Sequence, residues 1–123
     1  MYAGMAYSFS WEVVTTASSS NRLEFYDIEG TLTHTENITS PSGTIDHIIY
    51  DPVHDRVLYA DANSINSFEI TTKKHECLIR HTNIGISSLA YDPATELLFW
   101  IELYERVYSI SLKPGLNNNE KQL

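Results

Sequence analysis

Short apolar segments recur along this chain with a period of two. Runs of about five to seven residues rich in Ile, Val, Tyr, Phe and Thr alternate with Asp-Pro, Asn-Ser and Lys-Pro-Gly punctuation, the pattern of half-buried strands joined by turns. It predicts strands over 45–50, 56–61, 65–70 and 75–80, then over 86–91, 97–102 and 106–112. Fainter segments over 12–17, 22–28 and 32–38 extend the series toward the N-terminus. No window combines apolar spacing of 3.6 with helix formers and caps, so an all-β chain is expected. Thr15 to Asn21 (TTASSSN) is expected to be a hairpin loop. Leu116 to Leu123 offers nothing to bury and is expected to be a disordered polar tail.

The strands belong to a repeat. TIDHIIYDPVHDRVLYAD (Thr44 to Asp61) aligns with GISSLAYDPATELLFWIE (Gly85 to Glu102), and Tyr50 and Tyr91 stand 41 positions apart. Tyr50-Asp51-Pro52 meets Tyr91-Asp92-Pro93, Val57 meets Leu98, Leu58 meets Phe99, Tyr59 meets Trp100, and Asp61 meets Glu102. One inserted residue later, Ile65, Ser67, Phe68 and Ile70 meet Val107, Ser109, Ile110 and Leu112 at a spacing of 42. Four short antiparallel strands in each unit of about 40–45 residues is the period of a β-propeller blade. The segment WEVVTTASSSNRLEFYDIEGTLTHTENI suggests an earlier copy lacking the first of its four strands. The expected organisation is therefore an N-terminal remnant or truncated signal region over 1–10, a partial blade over 11–43, a blade over 44–84, a partial blade over 85–115, and the tail over 116–123.

YDP-x4-VLYAD and YDP-x4-LFWIE resemble the YWTD repeat, also called the LDL-receptor class B repeat. Both copies depart from that pattern: Glu102 stands where Asp61 keeps the terminal acid, and only Trp100 keeps the tryptophan. WEVVTTASSSNRLEFYDIEG and RVYSISLKPG make the layout most similar to the insect cueball-like group and to the related ommochrome-binding-like secreted proteins. The resemblance implies a six-bladed propeller, of which this chain would supply about two and a half blades. Six such units need about 250 residues. It also implies an extracellular or cell-surface receptor propeller associated with germ-cell development. EGF-like modules and a membrane anchor would lie elsewhere in a parent chain. Asp61 and Glu102 most resemble the family's structural carboxylates, which tie adjacent blades together.

Each motif residue also has a structural task that needs no ligand. Tyr50 and Tyr91 end an inner strand. Pro52 and Pro93 fix φ near −65° in the turn, where Asp51 and Asp92 can accept hydrogen bonds from turn amides. Ile45, Ile48 and Tyr50, like Ile86, Leu89 and Tyr91, are expected to face neighbouring blades. Trp100 and Tyr59 should dominate that packing. An acid–base pair could be assembled from Asp51 with His54 or Asp55, but no Gly-x-Ser-x-Gly elbow, His-Glu-x-x-His helix or glycine-rich phosphate loop accompanies it. No catalytic residue and no cofactor are expected. HECLIRH places His75, Cys77 and His81 on one face of a strand, where His and Cys two apart could share a metal. The expectation is instead an outer strand with no metal.

Charge and cysteine content narrow the partner. The 123 residues carry 8 Lys and Arg against 16 Asp and Glu, a formal net charge of −8, with no basic cluster larger than Lys73-Lys74. Nucleic acid is not expected as a partner. No apolar run approaches the roughly 18–20 residues of a membrane helix, so contact with a membrane is expected only through an anchor elsewhere in the parent chain. Cys77 stands alone and cannot form an internal disulfide. The sequon Asn37-Ile38-Thr39 marks Asn37 as a candidate glycosylation site in a secreted chain.

The resemblance implies a non-enzymatic recognition module that binds a protein ligand or co-receptor. Its contacts would come from the loops Ser18 to Asn21, Asp61 to Ser64 and Glu102 to Glu105, whose acidic content favours a basic partner. The alternative is a secreted carrier of an ommochrome-like pigment, with Ile48, Tyr50, Leu89 and Tyr91 lining an apolar channel. Fewer than three blades also leave open blade faces, so self-association is expected.

Overall fold

The computed structural model describes residues 2–7, 13–17, 21–38, 45–61, 63–80, 85–115 and 121–123, with side chains described from Asn21 onward. These residues form twelve strands in three four-stranded antiparallel sheets and no helix. The first sheet runs in the order β1 (Tyr2–Tyr7), β2 (Val13–Ala17), β3 (Arg22–Tyr26), β4 (Leu32–Asn37). The second is β5 (His47–Asp51), β6 (Arg56–Ala60), β7 (Ser64–Glu69), β8 (His75–Arg80). The third is β9 (Ile86–Asp92), β10 (Leu97–Glu102), β11 (Arg106–Ser111), β12 (Lys121–Gln122). Every neighbouring pair is antiparallel and joined in sequence, a four-strand meander used three times.

The sheets pack face to face, with their first strands side by side: β1 adjoins β5, and β5 adjoins β9. That is how consecutive propeller blades meet around an axis. Two apolar clusters fill the gaps. Between the first and second sheets lie Leu23, Phe25, Ile38, Ile45, Val57, Tyr59 and Phe68. Between the second and third lie Leu58, Ala60, Ile65, Ile79, Ile86, Leu98, Trp100 and Ile110. The second sheet feeds both, because strand side chains alternate: Val57 and Tyr59 enter one cluster, Leu58 and Ala60 the other. Trp100 is the largest fully buried side chain at 1% exposure, and its indole stacks on Tyr108 at 5.6 Å between centroids.

The duplication extends to the turns. Asp55 and Glu96, 41 apart, both take left-handed φ values, 48° and 56°. Each offers its carbonyl to an amide just after the third strand of its sheet, Ile70 N to Asp55 O at 3.1 Å and Leu112 N to Glu96 O at 2.9 Å. Matching conformation and matching hydrogen bonds at one offset are stronger signs of a repeated unit than matching hydrophobicity alone.

Two expectations about the chain's ends are corrected. Residues 2–7 are strand β1, paired with β2 from Tyr7↔Val13 back to Tyr2↔Ala17, so the first sheet has all four strands. Tyr7 occupies the register position of Tyr50, which pairs with Val57, but Ser8-Phe9 follow it in place of Asp-Pro. The missing turn marker hid the strand. At the other end Lys121 and Gln122 pair with Ser109 and Tyr108, so the third sheet also has four strands. Leu123 N donates to Val107 O at 2.8 Å. An outer strand is held by backbone hydrogen bonds and needs no apolar side chain, which is why composition alone predicted a tail. The expected loop over 15–21 is also shorter, since β2 continues to Ala17, and residues 18–20 lie outside those described.

Candidate functional site

The meander sorts the turns to two ends of the sheets. One end carries the β5–β6 and β9–β10 turns, where both Tyr-Asp-Pro motifs sit. The other carries the β6–β7 and β10–β11 turns.

At the Tyr-Asp-Pro end, charge converges between the second and third sheets. Asp51 is fully buried, and its Oδ1 accepts from Val53 N at 2.9 Å and His54 N at 3.4 Å. Its Oδ2 faces Arg56 Nε at 2.8 Å and His54 Nδ1 at 3.1 Å. Burial pushes the Asp51 carboxyl up, but the bonds from Arg56 and His54 outweigh it and hold the group below the usual carboxylate range. His54 Nε2 lies 3.4 Å from Glu96 Oε1 on the neighbouring sheet. Burial, with the Asp51 charge beside it, raises Tyr91 well above an ordinary phenol. Tyr50 instead donates its hydroxyl to Asp55. The second motif is shallower. Asp92 accepts from Ala94 N at 3.1 Å and Thr95 Oγ1 at 2.7 Å in an exposed turn. Pro52 and Pro93 fall inside these turns as the spacing predicted.

The structure therefore does bring Asp51 and His54 together. Both imidazole nitrogens face carboxylates, and the group joins two sheets. A second cross-sheet tie runs between the outer strands. Glu36 on β4 receives His75 Nε2 from β8 at 2.9 Å and His34 Nε2 from its own strand at 2.9 Å. The hydrogen bond from His75 lowers the Glu36 pKa below its ordinary value, against a smaller opposing effect of burial. Tyr59 Oη reaches His75 Nδ1 at 3.3 Å, and burial together with Asp61 pushes the Tyr59 phenol up to about 12. Sequence reasoning missed both ties, because the partners sit 42 and 39 residues apart. His75 thus turns to Glu36, Cys77 is exposed with Sγ 3.7 Å from Ile79 O, and His81 lies outside the described residues.

Asp61 and Glu102 are almost wholly buried, but the bonds described for them are local. Asp61 Oδ1 caps its own hairpin, accepting from Asn63 N at 2.9 Å, Ser64 N at 2.8 Å and Ser64 Oγ at 3.0 Å. Glu102 Oε1 accepts Trp100 Nε1 at 3.1 Å.

Next to Glu102 stands the most exposed aromatic among the described residues. Leu103 and Tyr104 form the tip of the β10–β11 hairpin, and Glu105 N closes it onto Glu102 O at 3.1 Å. Both tip residues have positive φ, 53° and 60°, as a two-residue turn of type I′ requires. That turn normally takes Asn-Gly. Leu-Tyr here holds side chains in the left-handed region, at a cost on the order of 1–2 kcal/mol each. Two bonds brace the tip: Leu103 N donates to Gly85 O at 2.9 Å, and Tyr104 N to Ser87 Oγ at 3.0 Å. Tyr104 is 89% exposed and Leu103 48%. The loop Glu102 to Glu105 was legible as a contact candidate, but the tyrosine's rigid presentation was not. Ile48 packs against the first apolar cluster, and Leu89 and Tyr91 against the second. Asn37 is exposed as the last residue of β4, while Thr39 of its sequon lies outside the described residues.

No family model matches this chain, and no curated protein matches it. Among solved structures, it is similar to streptogramin B lyase, with a TM-score of 0.78 and 12% identity over 98% of this chain. The match covers 39% of that structure's own chain, so this chain spans about two fifths of its neighbour's length. At that identity the likeness concerns architecture alone. Together with the three meanders and their adjoining first strands, it shows a β-propeller fold.

Proposed function

We propose that this chain is a non-enzymatic recognition module whose ligand is a protein, bound at the end of the blades where β6–β7 and β10–β11 turn. The observation that carries this reading is Tyr104, 89% exposed on a braced left-handed turn. A rigid tyrosine offers a large amphipathic contact at little entropic cost, and Tyr is enriched among residues that dominate binding energy. Backbone strain kept at an exposed tip is the kind of outlier that points to function. The finer reading is a cueball-like LDL-receptor class B repeat propeller, extracellular or at the cell surface and associated with germ-cell development. It rests on the two Tyr-Asp-Pro motifs, and the exposed position of Asn37 suits a glycan there. The neighbouring solved structure is an enzyme, but at 12% identity its chemistry does not transfer to these residues.

Binding of labelled protein to the surface of insect germ-line cells tests the proposal. Saturable binding is expected, weakened at least about tenfold by Tyr104→Ala, since truncating a residue that dominates the binding energy costs about 2 kcal/mol or more. Ile28→Ala, which truncates an exposed side chain in the β3–β4 turn, should leave it unchanged. Absence of saturable binding, or equal losses in both variants, would contradict the proposal.

A further inference from the structure

The β5–β6 turn carries an imidazole that reaches from the second blade to the third, between two acids. His54 Nδ1 lies 3.1 Å from Asp51 Oδ2, and its Nε2 lies 3.4 Å from Glu96 Oε1. An ionised carboxylate offers only acceptors, whereas a neutral imidazole has one N–H and one bare lone pair. A neutral His54 can therefore donate to one of the two acids and must set its lone pair against the other. Only the imidazolium donates to both.

The acid on the third blade is the one left short. Glu96 Oε1 is buried and accepts no hydrogen bond among the described residues. A buried acceptor without a donor is costly. The other groups around the ring do not fill the gap. Arg56 Nε is directed to Asp51 at 2.8 Å, and Asp55 accepts from Tyr50 and from Thr71 Oγ1. Tyr91, from the third blade, is kept a neutral phenol by burial and the Asp51 charge, and its buried hydroxyl makes no bond to Glu96 Oε1. A proton on His54 Nε2 would supply the missing donor.

The repeat provides a contrast. Thr95 stands 41 positions after His54 and donates its Oγ1 to Asp92 Oδ2 at 2.7 Å. A hydroxyl keeps its proton throughout the range in which an imidazole titrates. One copy of the turn is thus blind to mild changes of pH, and the other is not.

We infer that His54 is a proton-operated clasp between the second and third blades. Charged, it donates Nδ1–H to Asp51 and Nε2–H to Glu96 and holds the two sheets together at the Tyr-Asp-Pro end. Neutral, it releases Glu96. Imidazole is the side chain whose charge ordinarily changes near pH 6.5. Both acids surround the ring only in the folded chain, so the clasp contributes stability at mildly acidic pH and loses it as pH rises.

Urea unfolding of the intact chain at pH 6 and pH 8 reads the clasp in wild type, His54→Gln, Glu96→Gln and the double variant. Glutamine is polar and of similar size but does not titrate. Relative to His54→Gln, the folding equilibrium constant of wild type should be at least about fivefold larger at pH 6 than at pH 8. Taking the ratio to the variant removes the titration of His34 and His75, which both proteins share. Glu96→Gln should show the same pH-dependent loss, and the double variant should lose no more than either single variant at pH 6. Should one single variant fail to fold, the pH dependence of the other decides. A wild-type-to-variant ratio that is the same at pH 6 and pH 8 overturns the inference, as do losses at His54 and Glu96 that add at pH 6.

Discussion

The second and third blades share a sequence pattern but not a burial pattern. On β6, Val57, Leu58, Tyr59 and Ala60 are all buried, one pair against each neighbour. On β10 burial alternates: Leu98, Trp100 and Glu102 are buried, while Leu97, Phe99 and Ile101 are only partly so. Repeat identity therefore fixes which face each residue takes, but the presence of a neighbour decides whether that face is dry. A propeller blade draws stability from its two interfaces as much as from its own hydrogen bonds, as in other repeat architectures. Apolar residues at the same register can be wholly buried in one blade and only partly buried in the next.

The shared face should break hardest. Trp100→Ala removes a side chain 1% exposed, its stack on Tyr108 and its bond to Glu102. The expected loss in urea unfolding is about 3–5 kcal/mol, taken from both the second and third blades. Next comes the β6–β7 turn. Asp61→Ala leaves three donors without the Asp61 Oδ1 acceptor, at an expected cost of about 1–3 kcal/mol measured the same way. A variant within error of wild type would show that the cap adds nothing to the blade.

Smaller still, and dependent on pH, is the charged tie at the opposite end. The Asp51 carboxyl is held below its ordinary value in the folded chain, so the folded state binds its proton less readily than the unfolded chain does. Its contribution is complete above the unfolded carboxylate pKa, about 3.9, and is lost as pH falls through the lower folded value. Wild type should therefore lose stability on acidification below about pH 5, and Asp51→Asn should flatten that slope by on the order of 1 kcal/mol. Asp92→Asn, in the exposed twin turn, should cost within about 0.5 kcal/mol at neutral pH. Thermal melts from pH 7 to pH 3 make the comparison.

Much of this was legible before any coordinates. The period of 41–42 named the blades, and alternation named Trp100, Tyr59, Ile45 and Ile86 as residues packed between them. The turn roles of Asp51 and Asp92 followed from residue chemistry alone. What escaped did so for physical reasons. β1 lacks the Asp-Pro marker, and β12 is held through backbone groups that composition cannot register. The ties His54–Glu96 and His75–Glu36 join side chains on different blades, which only the packing of one sheet on another brings together. Tyr104 stands in a turn that normally takes Asn-Gly, so no local rule marked it as a rigid tip.

One register position is wholly buried at Leu58 in the second blade and only partly buried at Phe99 in the third. Leu58→Ala and Phe99→Ala, each unfolded in urea, test that difference most directly. Leu58→Ala should cost about 2–5 kcal/mol. Phe99→Ala should cost less than about 1 kcal/mol. Equal losses in the two variants would contradict the assignment of burial to the neighbouring blade.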